Sequence, residues 1–192
     1  MNWWGMRNLN DPGNHIEFLE AELTRMQKNG EKAIVLSHFP PTSYLWSFGQ
    51  RFWALMDRFQ DVVRMSFAGH SHSEEFHLTR SIADANKPIG WTFMAGSVTS
   101  IGGKNPGFNV ITLDAEHLVP VEIDTYMFNI TQANIEQKDN WNHFHSWTAD
   151  YKMEDLSPSS VLDFVNRLRD DEETAIKYTY NWHKGGTPAE PF

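Results

Sequence analysis

The sequence predicts a mixed α/β fold with a helical C-terminal extension, and three observations carry that expectation. Two short apolar runs, "KAIVLS" (32–37) and "VVRMSFA" (62–68), bracket the helical-period stretch "WSFGQRFWALMDRFQ" (46–60); strand–helix–strand in that order suggests a parallel crossover. Then "EEFHLT", "IGWTFMAGS", "GFNVITLD" and "VPVEIDTYMF" follow as β-type runs separated by Gly, Pro, Asn and Asp, the pattern of an antiparallel meander. From about residue 131 strand patterning gives way to helical spacing.

Taken in order, "DPGNHIEFLEAELTRMQKNG" reads as the first helix. Ile16, Leu19, Leu23 and Met26 fall at helical spacing, Lys28 lies late and Gly30 is the stop. The run 32–37 is of strand length and ends at "HFPP", where two prolines forbid a continuing ladder, so His38 begins a loop. In 46–60, Phe48, Phe52, Leu55 and Phe59 share one side. The run 62–68 is the next strand and feeds "GHSH". "RSIADANKP" (80–88) is a polar surface loop. "SPSSVLDFVNRLRDD" places Pro158 in a first helical turn, with Val161, Phe164, Val165 and Leu168 as the apolar face. "EETAIKYTYNWHKGG" has acids at its start, His183 and Lys184 at its end and glycine after.

Composition narrows the function classes. Of 192 residues, 40% are hydrophobic and 14% aromatic, enough to bury a core. No apolar run approaches the roughly 18 residues of a bilayer span. The net charge of −9 repels nucleic acid, so an anionic substrate needs a local positive centre such as a metal. With no cysteine, ligands are limited to His, Asp, Glu and Asn, and disulfides are excluded. Met1 leads into "NWWGMRNLNDPG" rather than the basic and apolar stretches of a signal peptide. The eight tryptophans suit either an enzyme at a membrane interface or a tryptophan-rich core.

Nine histidines are present. His15 in the first helix, His77 in a strand, His117 in "DAEH" and His183 at a helix end read as structural or surface residues. His143 and His145 form a second possible ligand pair, but Trp141, Phe144 and Trp147 around them favour amphipathic packing. His38, His70 and His72 differ in position: each follows a strand directly, at the carboxyl edge where α/β sheets bind ligands. Read as an extended segment, His70 and His72 project to one side, with Gly69 supplying the sharp turn before them. Imidazoles suit zinc and iron, yet H-x-H spacing alone reads as readily as a polar loop.

"LSHFPP" followed by "FAGHSH" resembles the last two metal-binding motifs of the calcineurin-like metallophosphoesterases. "NWWGMRNLNDPGNHIEFLEAEL", "AGSVTSIGGKNPGFNVITLD", "TYMFNITQANI" and "YNWHKGGTPAEPF" resemble the acid sphingomyelinase branch of that superfamily, in the family's order and along essentially the whole chain. The resemblance implies an α+β sandwich: residues 1–130 form the C-terminal half of the metallophosphoesterase domain, and residues 131–192 the helical C-terminal region of the sphingomyelinase type. It implies zinc-dependent hydrolysis of a phosphodiester, sphingomyelin to ceramide and phosphocholine. His38 and His70 would ligate one metal of a dinuclear zinc centre, and His72 the other.

The family also brings an upstream D-x-H, a bridging Asp in a G-D motif and the Asn of a G-N-H motif. None precedes the histidine motifs in register, since "NWWG" at residue 2 already aligns beyond them. Three imidazoles without a bridging carboxylate cannot hold two metals at close range. The expectation is therefore a C-terminal half carrying part of the site, inactive alone, with the catalytic acid and base in an absent N-terminal half or a partner chain. Expected partners are a phospholipid or other phosphodiester and a membrane surface. The alternative is a non-catalytic lipid- or protein-binding module derived from the same fold. Asn129-Ile130-Thr131 is an N-glycosylation sequon where relatives carry one. The resemblance implies a secreted or lysosomal protein, although the lack of cysteine departs from disulfide-rich members.

Overall fold

The computed structural model describes residues 10–186. The stretches 2–9 and 187–192 that contribute to the family resemblance lie outside the described residues.

Helix α1 spans His15–Asn29. Asp11 caps it from upstream, its carboxylate accepting from the backbone N–H of Ile16 and of Glu17 at 3.0–3.2 Å. Gly30, at φ 70, closes it by donating to Gln27 O. Leu23 is buried, and Ile16, Leu19 and Met26 pack around it as the spacing predicts. Strand β1 (Ala33–Leu36) pairs in parallel with β2 (Val63–Ala68), and α2 (Trp46–Arg58) makes the crossover. Phe52, Leu55 and Phe59 of this helical stretch bury against Leu23 and Val62.

The expected meander is divided between two sheets. Strand β3 (Glu75–Arg80) pairs antiparallel with β4 (Pro88–Met94), but β4 then inserts beside β2 in parallel, giving the order β1-β2-β4-β3. The physical reason lies in β4 itself. Trp91, Thr92, Phe93 and Met94 are all buried, so successive residues are covered on both faces and the strand suits a sheet centre. Strands β5 (Gly107–Leu113) and β6 (Pro120–Phe128) form the second sheet with β7 (Trp141–Ser146).

Strand β7 corrects the expectation that strands stop at residue 131. "WNHFHS" pairs antiparallel with β6, although Trp141, Phe144 and Trp147 fall three residues apart, at helical spacing. Around it lie α3 (Ile130–Glu136), α4 (Trp147–Asp150), α5 (Pro158–Asp170) and α6 (Glu172–Trp182). The fold is thus α+β, with two sheets and C-terminal helices. Trp91 and Phe93 of the first sheet, Ile123 of the second, and Trp147, Tyr151 and Phe164 from the helical part share one core. Buried Trp91 keeps its polar edge satisfied by donating Nε1–H to Leu156 O at 3.0 Å. No described helix is long and apolar enough to cross a membrane.

Candidate metal site

The carboxyl ends of β1 and β2 bring His38 and His70 together. Ser37 N–H donates to Phe67 O, and one step beyond the strands Gly69 N–H donates to His38 O, both at 3.0 Å. The two loops are therefore tied backbone to backbone where they leave the sheet. The His38 and His70 rings lie with centroids 5.3 Å apart at 77°, and Phe39 packs on His70 at 4.2 Å.

The backbone between the histidines differs from the extended segment expected. His70 has φ 73 and His72 φ 59, both left-handed, and residues 70–73 form a bend. Gly69 is not the residue that needs glycine's freedom: its φ is ordinary, and an added Cβ would meet only His38 O at 3.8 Å. The sharp turn falls on the two imidazole-bearing residues instead. A non-glycine residue in this region costs about 1–3 kcal/mol and persists where its surroundings over-determine it, typically at functional sites.

The centroid spacing is of the size a shared cation would require. Two imidazoles bound to one tetrahedral zinc through N–Zn bonds of about 2.0–2.1 Å have ring centres roughly 5 Å apart, close to the 5.3 Å observed. Among the described residues, no three His, Asp or Glu side chains gather as one cation site. His72 therefore does not complete a three-ligand group with His38 and His70. A G-N-H tripeptide does occur at Gly13-Asn14-His15, but Asn14 is the left-handed residue before α1 and His15 opens that helix. It forms no such group either.

Directly behind the histidine loop lies a buried polar cluster. Glu74, two residues after His72, is 1% exposed. Its carboxylate accepts from Trp147 Nε1 (2.7 Å), Thr125 Oγ1 (2.6 Å) and Asn109 Nδ2 (2.9 Å). His145, 2% exposed, stands with Nε2 at 2.7 Å from Glu74 Oε1, a contact close enough for an ion pair but out of line for a hydrogen bond. Burial alone would raise the Glu74 carboxyl; the His145 imidazole, with Thr125 and Asn109, outweighs it and holds the group below its ordinary value. His143, the other member of the pair, sits outside this cluster, with Nε2 2.9 Å from Asp124 Oδ1. Both are accounted for within the fold.

The turn after α6 brings Lys184 within the field of this cluster. Lys184 is fully buried, and its Nζ has no hydrogen-bond partner. It threads past two glycines: a Cβ on Gly96 would come 2.7 Å from Nζ, and one on Gly107 would collide with Cδ. Burial pushes the ammonium down to about 8, with Glu74 opposing and Lys104 reinforcing the shift. The sequence places Lys184 at a helix end, and nothing in that position predicts its burial. His183 does sit at the helix end as expected, Nδ1 3.1 Å from Thr179 O. His117 pairs with Asp114 at 2.9 Å. His77 lines an apolar groove with Tyr44, Trp46, Phe52 and Trp53, and burial holds it below its ordinary value.

Comparison with known proteins gives these features a context. Residues 87–184 match the family described as acid sphingomyelin phosphodiesterase C-terminal region. The chain is similar to human sphingomyelin phosphodiesterase, 28% identical over 99% of this chain and 31% of that protein. It is 28% identical to sphingomyelin phosphodiesterase B of Dictyostelium discoideum, over 95% of this chain and 31% of that protein. Similarity extends to the human cyclic GMP-AMP phosphodiesterase SMPDL3A, 27% identical over 91% of this chain and 42% of that protein. The chain thus spans about a third of the length of the curated sphingomyelin phosphodiesterases it matches.

Proposed function

We propose, from the premise that this chain belongs to the acid sphingomyelinase family, that it carries the histidine part of a zinc centre for phosphodiester hydrolysis. The observation that supports it most is the pairing of His38 and His70 at the carboxyl edge of adjacent parallel strands, on a loop strained at His70 and His72. In this reading His38 and His70 hold one zinc and His72 reaches a second, whose remaining ligands come from residues outside this chain. Zinc supplies Lewis acidity and an activated water to such chemistry. The chain's own residues orient the imidazoles: the Gly69–His38 bond fixes the spacing of the loops, and Phe39 covers one side of the His70 ring.

The substrate class is a phosphodiester, sphingomyelin by analogy with the relatives' names; the cyclic GMP-AMP phosphodiesterase among them keeps other diesters in the test. The chain alone is inactive in this reading, since three imidazoles supply neither a bridging carboxylate nor a general acid. Residues 1–130 supply the metal half-site, and residues 131–192 the region of β7 and the C-terminal helices. A secreted or lysosomal setting accords with the Asn129 sequon. Asn129 caps α3 through Oδ1, accepting from Gln132 N–H at 2.9 Å, a bond compatible with a glycan on Nδ2.

The test is turnover of sphingomyelin and of a chromogenic phosphodiester with added zinc. No turnover by the chain alone, and turnover on adding a fragment that bears the upstream ligands, is the expected result. Zinc-dependent turnover by the pure chain that stops in His72→Ala overturns the half-site reading. The apolar groove between α2 and β3, with Trp46 79% exposed, favours the second reading, a lipid- or protein-binding module. That reading predicts vesicle binding lost in Trp46→Ala, independent of zinc.

A further inference from the structure

The bend at residues 70–73 is held from outside. Two of its four residues are left-handed histidines, and it contains neither glycine nor proline. Its internal side-chain bonds are long, Ser71 Oγ to Ser73 O at 3.3 Å and Ser73 Oγ to Ser71 O at 3.4 Å. The short bond comes from the loop between β4 and β5. Lys104 donates its ammonium to Ser73 Oγ at 2.5 Å and to the carbonyl of Ser71, the residue between the histidines, at 3.2 Å. The same ammonium lies 5.0 Å above the Trp182 ring. Trp182 in turn donates Nε1–H to Glu75 at 2.8 Å, and its carbonyl accepts from Glu74 N–H at 3.5 Å. Every residue from Ser73 to Glu75 is thus tied to Lys104 or Trp182.

We propose that Lys104 is a positioning residue for the candidate metal site: with Trp182 it clamps the Ser71–Ser73 backbone and so holds His70 and His72 in their left-handed conformation. The inference rests on the metal reading for its consequence and on the hydrogen-bond geometry for its mechanism. An ammonium suits the task because it can donate to a main-chain carbonyl and a hydroxyl together while its stem covers an aromatic ring. Arginine can make the same two donations from a wider fork, whereas methionine keeps the stem and loses both.

The experiment compares the full chain with Lys104→Met and Lys104→Arg, by amide hydrogen exchange and by titration with cobalt(II) as the probe metal. In Lys104→Met the amides of Ser71–Glu74 are expected to exchange about tenfold faster, with β2 and β4 unchanged. Cobalt affinity is expected to fall about tenfold, the usual effect of removing a group that orients metal ligands. Lys104→Arg is expected to recover most of both. Wild-type exchange across Ser71–Glu74 in Lys104→Met overturns the clamp, whatever the metal does. If the wild-type chain takes up no cobalt, the metal reading fails, and the exchange rates still decide the clamp. Should Lys104→Met not fold, Ser73→Ala removes one acceptor and is read the same way.

Discussion

Glu74 and His145 meet with Oε1 and Nε2 2.7 Å apart, both sealed from water, at the junction of the histidine loop with the second sheet. Truncating one partner of such a pair strands the other. Glu74→Ala is expected to cost about 3–5 kcal/mol, because it also leaves the Trp147 Nε1–H and the Thr125 hydroxyl without their acceptor. Urea unfolding at pH 7 measures it. The sign in acid follows from the direction of the shift: the folded carboxyl lies below its unfolded value. Its contribution is therefore complete above about pH 4.5 and is lost as pH falls through the folded value. Glu74→Gln is expected to flatten that acid limb.

Lys184 carries the opposite sign. Its ammonium titrates at about 8 in the folded chain, against about 10.4 when exposed. Between those values the unfolded chain binds more protons, so stability rises with pH across that window. The shift corresponds to a penalty on the order of 3 kcal/mol at neutral pH. Lys184→Met is expected to raise stability at pH 7 and to remove the rise between pH 8 and 10, as read by urea unfolding at several pH values. A less stable variant, with no rise between pH 8 and 10 in the wild-type chain, would show that attraction to Glu74 outweighs burial.

Gly96 makes room for the tip of Lys184. Gly96→Ala is expected to cost about 1–3 kcal/mol by overpacking, and that cost is expected to shrink when Lys184→Ala is added. The double-mutant cycle measures the coupling; equal costs in both backgrounds would place the strain elsewhere.

Glycine relieves left-handed strain. His70→Gly and His72→Gly are each expected to stabilise the metal-free chain by about 1 kcal/mol. The His70 variant is also expected to bind zinc more weakly. Thermal unfolding with and without zinc separates the two effects.

Much of the fold is legible in the sequence where one period dominates. The helical spacing of Ile16, Leu19, Leu23 and Met26 predicts a face that does pack, and the parallel crossover follows from strand, helix and strand in order. The split of the meander was not legible, because an apolar run such as "GWTFM" does not say which strands will flank it. Strand β7 was missed because the rings of Trp141, Phe144 and Trp147 also fit a helix face. At the site, the meeting of His38 and His70 was readable from their place after two strands. The left-handed turn was not, because it falls on histidines where glycine was the expected residue. Glu74, Lys104 and Lys184 were invisible because their roles depend on contacts between segments distant in the chain.

Zinc stoichiometry tests the central claim most directly. The full chain, stripped of metal and re-equilibrated with zinc, is expected to bind one weakly held ion, and His38→Ala or His70→Ala is expected to abolish it. No bound zinc, or binding that survives both substitutions, would contradict a metal half-site at these histidines.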